Sequence, residues 1–328
     1  KELGMPQKSY AEALSDKFNQ KKGIMVAGSH GKTTTTALLG QIMIAAGLDP
    51  TVIVGGTVVD WGSNFRAGKS EWMLVEGDEY QEKFLNFKPE YLIITNVDYD
   101  HPDTFPDPAS YRSAFEKLKM KTKEKIFTLE AVKLLNFETS KLFNSDYLTG
   151  EHNRQNAGLV YALAKELDIS DENIKKGVSD FHGVRRRMEI YFNKNGLIII
   201  DDYAHHPAEI SATLKAVKER WPDYKITAIF QPHTFSRTKA LMSEFSRAIT
   251  DADAVYLAPT YSSAREKQSR SEDLDGILYE NVKKHNPSCF KGLPKREGLF
   301  SPVKNRIIIT MGAGDIWQFA KSLTGFAV

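Results

Sequence analysis

The sequence predicts an α/β protein of two domains, each with a mostly parallel sheet covered by helices. Short apolar runs of strand length alternate with longer amphipathic stretches, which is the pattern of consecutive βαβ units. The chain has 328 residues, a length that suggests about two domains. The alternation restarts after the basic run at 185–187. We therefore expect one domain over residues 1–183 and a second over residues 184–328.

The composition excludes several classes of protein. The 44 Lys and Arg residues nearly balance the 42 Asp and Glu residues, and this net charge of +2 argues against a nucleic-acid partner. The single cysteine, Cys289, cannot form an internal disulfide, which suits a reducing compartment. No apolar run reaches about 18 residues, so no membrane insertion is expected. A cytoplasmic location is expected, and no oligomeric state is predicted.

The first domain is expected to contain four strands and two helices. Apolar runs rich in Val, Ile and Leu mark the strands, at 23–27, 51–54, 72–76 and 91–95. The helices are expected at 32–46 and 154–166. Residues 120–150 are irregular, and no role is assigned to them.

A glycine-bracketed turn, GSHGKTTTT at 28–36, follows the first strand. Glycines let backbone N–H groups approach phosphate oxygens, and the N-terminus of the next helix adds positive potential. In such a loop the lysine neutralises the β- and γ-phosphates and the next hydroxyl ligates Mg²⁺. The strict pattern has a glycine where this chain has Val26, so the turn is a shortened variant, and an ordinary strand-to-helix turn is the alternative.

The first domain is therefore predicted to resemble the P-loop ATPases. Its predicted nucleotide contacts are Gly28, Ser29, His30, Gly31, Lys32, Thr33 and Thr34.

Acidic residues follow two strands of this domain. Glu76 ends the strand at 72–76, and an acidic cluster around His101 follows the strand at 91–95. Open α/β sheets bind ligands at the carboxyl ends of their strands, and Mg²⁺ prefers carboxylate and hydroxyl oxygens. Thr33, Glu76 and His101 are therefore candidate metal ligands. Helix capping or a solvated loop remains open for the acidic residues, and a structural role remains open for His101.

Two asparagines stand at the start of the helix expected at 154–166. Asn153 and Asn156 are three residues apart and share one helical face. Carboxamides both donate and accept hydrogen bonds, which suits the edge of a nucleobase. N-capping of the helix by Asn153 is the alternative.

The second domain is expected to be Rossmann-like. Its strands are predicted at 196–200, 225–230, 253–258 and 306–310, and its helices at 207–220, 237–249 and 314–323. The charged, serine-rich stretch at 262–275 is expected to be a surface loop.

Two strand-to-helix turns of the second domain carry unusual polar residues. DDYAHHP at 201–207 combines two carboxylates, a phenol and two imidazoles, a set that folding alone does not explain. FQPHTFSR at 230–237 is the equivalent turn one βα unit later, where Arg237 could hold a carboxylate or phosphate. An arginine of the 185–187 run could stabilise charge on a transferring phosphoryl group, and a solvated basic turn is the alternative.

Seven motifs occur in one order between residues 23 and 240: GSHGKTTTT, EGDEYQEKFL, TNVDYDHPDTF, GEHNRQNA, GVRRRME, DDYAHHPAEI and FQPHTFSRT. This series resembles the Mur ligases, the ATP-dependent amide-bond ligases of peptidoglycan precursor synthesis. The resemblance implies ATP and Mg²⁺ as cofactors, a central ATP-binding domain and a C-terminal domain that closes over ATP. The last two motifs are most similar to the member that joins L-alanine to the carboxylate of UDP-N-acetylmuramate through an acyl phosphate.

The resemblance also implies roles for individual residues of the first domain. Lys32 and Thr33 would serve the ATP phosphates and magnesium, with Glu76 on one Mg²⁺ and His101 on a second. Asn153 and Asn156 would lie near the adenine or ribose.

The second domain would complete the site. The residues implied to contact ATP are Arg186, Arg187 and Asp202, and those implied to contact the amino acid or the muramyl substrate are Tyr203, His205, His233 and Arg237. Lys32, Arg187 and His205 would act in catalysis, with His205 orienting or deprotonating the amine.

Two departures from the family pattern leave alternatives open. The family carries an N-terminal domain for the UDP portion of the substrate, and almost nothing precedes the phosphate loop here. A nucleotide-binding module that cannot ligate without a UDP-binding domain is therefore one alternative. The turn at 76–80 looks closer to the murein tripeptide recycling ligase, which is the other.

Overall fold

The computed structural model describes residues 7–133, 142–262, 273–300 and 305–325. Contacts divide the chain into two compact units. The first contains the described residues up to Leu148 together with His152–Arg185, and the second contains Thr149–Glu151 and the described residues from Arg186 onward. The functions predicted for residues 1–183 and 184–328 stay predictions.

In the first unit the structure has the strands and helices that the sequence predicts, together with further elements that the sequence did not reveal. Its strands are β1 (Lys22–Ala27), β2 (Thr51–Val58), β3 (Ser63–Arg66), β4 (Trp72–Glu76), β5 (Tyr91–Ile94) and β6 (Lys125–Thr128). Its helices are α1 (Tyr10–Phe18), α2 (Lys32–Ala45), α3 (Pro108–Lys121), α4 (Leu129–Lys133), α5 (Glu151–Glu166) and α6 (Asp171–Ser179). Short 3-10 helices cover Val59–Trp61 and Tyr80–Asn86.

In the second unit strands and helices mostly alternate. Its strands are β7 (Glu189–Lys194), β8 (Leu197–Asp202), β9 (Lys225–Phe230), β10 (Ala254–Leu257), β11 (Cys289–Lys291) and β12 (Arg306–Met311). Its helices are α7 (Pro207–Arg220), α8 (Phe235–Ala240), α9 (Met242–Ala248), α10 (Leu274–His285), α11 (Arg296–Leu299) and α12 (Trp317–Thr324). The loop expected at 262–275 lies mostly outside the described residues.

Each unit is built on one sheet. The strand orders are β3-β2-β4-β1-β5-β6 and β11-β10-β9-β12-β8-β7, and the pairs within each are parallel except β2–β3 and β7–β8. In the first sheet the chain leaves β1 for one side and later returns to the other side at β5. This change of direction opens a crevice at the carboxyl end of β1. The predicted fold class, two α/β domains with parallel-dominated sheets, is confirmed.

Alternation along the central strands explains the layering. Ile24 and Val26 of β1 pack into the hydrophobic cluster that contains α2, α5 and α6 residues, whereas Met25 and Ala27 face the cluster on the other side of the sheet. A strand buried on both faces reads as a continuous apolar run, which is why the sequence revealed it. Among the described residues, none of the helices combines the length and the apolar character of a membrane span.

One predicted helix is wrong in extent. The helix expected at 237–249 is divided into α8 and α9, because Leu241 leaves the helical conformation with φ −115° and ψ 27°. No glycine or proline marks this break, so sequence patterns do not reveal it. The sequence also missed the edge strands β3, β6, β7 and β11, whose side chains are mostly exposed or half-buried and therefore lack the apolar run of a central strand.

Helices α2 and α6 approach each other closely at a glycine. A Cβ built on Gly177 of α6 would lie 2.5 Å from the Cα of Ile42 in α2. Because that neighbour is backbone, a rotamer change cannot relieve the contact. The glycine therefore sets the distance between the two helices.

We expect Gly177→Ala to lower the urea midpoint of the first unit, since α2 and α6 must separate to admit the methyl group. Overpacking of this kind costs about 1–3 kcal/mol. The control is Gly298→Ala in α11, where a Cβ meets no atom within 4 Å. Equal midpoints for the two variants in equilibrium unfolding would contradict the proposed contact.

Candidate active site

The phosphate loop connects β1 to α2 at the crevice of the first sheet. Gly28 and Gly31 have φ angles of 140° and 80°, which side chains with a Cβ rarely adopt. A Cβ on Gly28 would also lie 2.1 Å from the Thr95 hydroxyl, and one on Gly31 would lie 2.3 Å from the amide nitrogen of Asn156. Both glycines are therefore required by conformation and by close neighbours.

Residues that follow β5 hold the loop in place. The amide of Asn96 accepts from the backbone N–H of His30 at 2.9 Å and donates to its carbonyl at 3.0 Å. The Thr95 hydroxyl donates to the same carbonyl at 2.6 Å, and the N–H of Ser29 donates to the carbonyl of Asn96 at 3.1 Å. These hydrogen bonds fix the backbone of the loop to the segment that follows β5.

Lys32 begins α2 and its ammonium turns back over the loop. It donates to the carbonyl of Ser29 at 3.1 Å and forms an ion pair with the Glu79 carboxylate at 2.9 Å. Glu79 is only 3% exposed. Burial opposes its ionisation, but Lys32 and His101 outweigh that effect, and the pKa of Glu79 lies below its ordinary value. His101 Nε2 is 3.3 Å from Glu79 Oε1, so Glu79 links the lysine to the predicted metal ligand.

Thr33 and Glu76 form an adjacent pair of oxygen ligands. The Thr33 hydroxyl donates to Glu76 Oε1 at 2.8 Å, and the N–H of Gly55 in β2 donates to Oε2 at 2.5 Å. A Cβ on Gly55 would lie 2.7 Å from both carboxylate oxygens, so this glycine makes room for the carboxylate. A hydroxyl and a carboxylate beside a phosphate loop are the donors that Mg²⁺ prefers, so the residues present fit this ion.

The two asparagines lie in the first turns of α5. Helix α5 begins at Glu151, so Asn153 lies inside the first turn and does not cap a helix beginning at 154. Both Asn153 and Asn156 are buried, and Asn156 faces Gly31 of the phosphate loop. Thr34 is partly buried in the first turn of α2. The nucleotide contacts predicted for these residues stay predictions.

A second cluster lies at the carboxyl end of β8 in the second unit. The guanidinium groups of Arg186 and Arg187 each lie 5.0 Å from the ring centroid of Tyr203. The rings of Tyr203 and His205 are 5.2 Å apart, and those of His205 and His233 are 6.1 Å apart. The structure thus brings together the side chains that the sequence placed on two neighbouring turns.

Arg237 joins this cluster through His233. It lies in α8, is 6% exposed, and donates to the carbonyl of His233 at 3.4 Å. The ring of His233 stacks on Tyr261 at 5.8 Å. Thr234, which follows His233 in the chain, has a φ of 68°. This conformation is uncommon for a β-branched residue, and such backbone strain concentrates at functional sites.

Arg186 and Asp202 form hydrogen bonds with residues of the second unit. The Arg186 guanidinium donates to Asp201 at 3.0 Å and to the carbonyls of Gly312 and Gly314. The Asp202 carboxylate accepts from the backbone N–H groups of Met188 and Ala204, at 2.7 and 2.8 Å. These contacts fix the turn that presents Arg187. The contacts with ATP that are predicted for Arg186 and Asp202 stay predictions.

Sequence reasoning gave no role to two acidic residues, Glu79 and Glu209. The Glu209 carboxylate accepts from the backbone N–H groups of His205 and His206, at 3.0 and 3.2 Å, and lies 3.8 Å from Arg187. The spacing of His206 and Glu209 is that of a capping box, which was a usable signal. Glu79 belongs to the acidic turn after β4. Its pairing with Lys32 joins residues 47 positions apart, so local sequence patterns do not reveal it.

Among the residues that the structure describes, no group of three or more His, Cys, Asp and Glu side chains is arranged to hold a metal ion. The candidate magnesium ligands Thr33 and Glu76 are a pair, and His101 pairs separately with Glu79. A bound ion would therefore need further oxygens, which the phosphates of a nucleotide supply.

The pKa of Asp202 predicts a pH dependence of stability. Burial raises this pKa to about 6, although Arg187 and two backbone N–H groups oppose the shift. Because the folded carboxyl binds its proton more tightly than the unfolded one, its contribution to stability falls as pH rises from about 4 to above 6. We expect wild type to lose up to about 3 kcal/mol relative to Asp202→Asn across this range, measured by urea unfolding.

Asp253 is the matched control, because its pKa is shifted the other way. The N–H of Ile226 and the ammonium of Lys225 outweigh its burial and lower its pKa. Wild type should therefore gain stability relative to Asp253→Asn as pH rises through about 4, and should change little above that, where Asp202 changes most. Parallel pH profiles for the two variants would contradict the assignment to Asp202.

Comparison with known proteins supports the same family along most of the chain. The family model of the Mur ligase middle domain matches residues 26–140, and that of the Mur ligase glutamate ligase domain matches residues 186–314. The UDP-N-acetylmuramate–L-alanine ligase of Desulfitobacterium hafniense is 36% identical, over 98% of this chain and 81% of that protein. The protein of the same name from Ligilactobacillus salivarius is 35% identical, over 97% and 77%.

Solved structures show the same architecture. The UDP-N-acetylmuramate–alanine ligase of Thermotoga maritima superposes with a TM-score of 0.75 and 27% identity, over 97% of this chain and 77% of that chain. A murein peptide ligase of Psychrobacter arcticus gives a TM-score of 0.68 over 100% and 82%, and its 21% identity shows the fold alone. Since relatives more than 30% identical cover nearly all of it, this chain belongs to the Mur ligase family.

Proposed function

We propose that this chain joins L-alanine to the carboxylate of UDP-N-acetylmuramate, with conversion of ATP to ADP and phosphate. The observation that carries the proposal is the phosphate loop in which Lys32 and Thr33 lie beside the carboxylates of Glu79 and Glu76. That arrangement supports ATP-dependent chemistry. The choice of substrates is supported by the names of the relatives that are 36% and 35% identical.

The reaction has two steps. A carboxylate oxygen of the muramyl substrate attacks the γ-phosphorus of ATP, giving an acyl phosphate and ADP. The neutral amine of L-alanine then attacks the acyl carbon, phosphate leaves, and the amine loses a proton. Both reactants of the first step are anionic, so the site must offset their repulsion.

Lys32 supplies the fixed positive charge for the first step. Its ammonium is held over the loop by Glu79 and by the carbonyl of Ser29, so it is oriented before a phosphate arrives. Thr33 and Glu76 would hold one Mg²⁺, and His101 would hold a second. When bound, Mg²⁺ neutralises charge on the phosphate oxygens. Asn156, which faces the loop at Gly31, would contact the nucleotide.

His205 is proposed to receive the proton in the second step. Its Nδ1 is 3.0 Å from the carbonyl of Tyr203. Because a carbonyl only accepts, Nδ1 carries the proton in this contact, and the lone pair of the neutral ring lies on Nε2. Nε2 is then the atom that takes the proton of the L-alanine amine.

Three arginine and histidine side chains near His205 are proposed to hold anions. Arg187, stacked on Tyr203, would stabilise the charge that develops on the transferred phosphoryl group. His233 and Arg237 would contact the carboxylate or the phosphate-bearing end of the muramyl substrate. The buried position of Arg237 favours strong pairing with an anion.

The alternatives differ from the proposal in the amine that is added, so an amine panel tests them. The chain is mixed with ATP, UDP-N-acetylmuramate and one of L-alanine, glycine, L-serine or the murein tripeptide, and ADP release and product mass are measured. We expect the largest kcat/KM with L-alanine. Preference for the tripeptide would support a recycling ligase, and ATP binding without any ligation would support a nucleotide-binding module.

We expect Lys32→Met to reduce ADP formation by about 10²- to 10³-fold, because the charge that stabilises the transferring phosphoryl group is lost. The control is Lys22→Met at the other end of β1, where the ammonium pairs with Glu71 on the surface. The Lys32→Met change leaves Glu79 buried without its partner, so circular dichroism must verify folding, and Lys32→Arg provides a variant that keeps a cation there. Wild-type ADP release by a folded Lys32→Met protein would contradict the assignment.

A further inference from the structure

We propose that the Tyr111 hydroxyl positions the phosphate loop for nucleotide binding and acts through Ser29. This inference rests on the proposed function, since it concerns the same nucleotide. Tyr111 lies in α3, 82 residues from the loop, and its hydroxyl oxygen is 2.8 Å from Ser29 Oγ. Its hydrogen bond to the phosphate loop is made to Ser29, so we assign it a positioning role that acts through that residue.

The direction of this hydrogen bond follows from the partners of Ser29. The Ser29 hydroxyl has one proton and donates it to the carbonyl of Asp98 at 2.6 Å. Ser29 Oγ also accepts from the N–H of Asp98 at 2.8 Å. The contact with Tyr111 must therefore be one in which the phenol donates. Burial raises the pKa of Tyr111, so the phenol keeps the proton that it donates.

The Tyr111 ring is fixed by neighbouring aromatic rings. It is completely buried, and it packs edge-on against Phe105 at 5.0 Å and Tyr99 at 6.1 Å, with Phe115 tilted against it at 5.2 Å. Such packing restricts the ring to one position. The hydroxyl is thus a rigid donor, anchored in the hydrophobic core on one side of the first sheet.

Ser29 transmits this position to the catalytic lysine. Its N–H and hydroxyl are tied to the segment after β5, and its carbonyl accepts from the ammonium of Lys32 at 3.1 Å. Loss of the Tyr111 donor removes one of the hydrogen bonds that hold the Ser29 hydroxyl in place. The loop N–H groups and Lys32 would then sample positions that fit a triphosphate less well, which weakens nucleotide binding more than it slows the chemical step.

The test compares two variants that each remove one phenol oxygen from the same aromatic cluster. Tyr111→Phe removes the donor to Ser29. Tyr99→Phe removes a hydroxyl that donates to the carbonyl of Phe105 at 2.7 Å, outside the phosphate loop. We expect Tyr111→Phe to raise the Kd and KM for ATP about five- to tenfold, as loss of one net hydrogen bond implies. The kcat and the KM for UDP-N-acetylmuramate should change little, and Tyr99→Phe should leave all of these values unchanged.

A double-mutant cycle identifies Ser29 as the intermediary. If Tyr111 acts through Ser29, Tyr111→Phe has no further effect on ATP binding in a Ser29→Ala background. Equal Kd values for ATP in wild type, Tyr111→Phe and Tyr99→Phe would overturn the inference while the proposed function stands. A lower melting temperature with unchanged ATP affinity would also overturn it, and a wild-type chain that does not bind ATP would contradict both.

Discussion

The parallel register of the two sheets is the constraint on which both clusters depend. In the first sheet Val26 pairs with Glu76, and Ala27 pairs with Ile94, so β1, β4 and β5 end at one level. The phosphate loop, the acidic turn and the Thr95–Asn96 segment must therefore meet. In the second sheet Met311 pairs with both Asp202 and Phe230, which brings the turns after β8 and β9 to one edge in the same way.

A buried charge at this edge is stable only because it is paired. Glu79 is almost fully buried, and isolating such a carboxylate in the protein interior would cost several kcal/mol. The contacts of the Glu79 carboxylate with Lys32 and His101 offset that cost. The same pairing holds the lysine over the loop, so one interaction stabilises the fold and prepares the site for an anion. Removal of either partner is expected to affect folding and activity together.

The second unit also contains a buried carboxylate, and an arginine pairs with it. Asp201 is completely buried against Arg186, whose guanidinium also satisfies carbonyls of the turn after β12. The Asp202 carboxylate accepts a hydrogen bond from the backbone N–H of Met188, in the segment that follows Arg187. Arg186 and Asp202 thus hold the backbone on which Arg187 and Tyr203 stand, and Glu209 orients His205. Motif residues can therefore act by building a site as well as by touching the substrate.

The sequence by itself determined the central strands, the phosphate loop and the order of the motifs, because these are written in local patterns of apolar runs and glycines. Thr33, Glu76, Tyr203 and His205 were predicted as site residues from their positions at or just after the ends of predicted strands. Only the tertiary structure decided that Glu79 pairs with Lys32, that Arg186 turns toward Asp201, and that Tyr111 reaches Ser29. These contacts join residues far apart in the chain, and their energy comes from burial that appears only when the sheets and helices pack together.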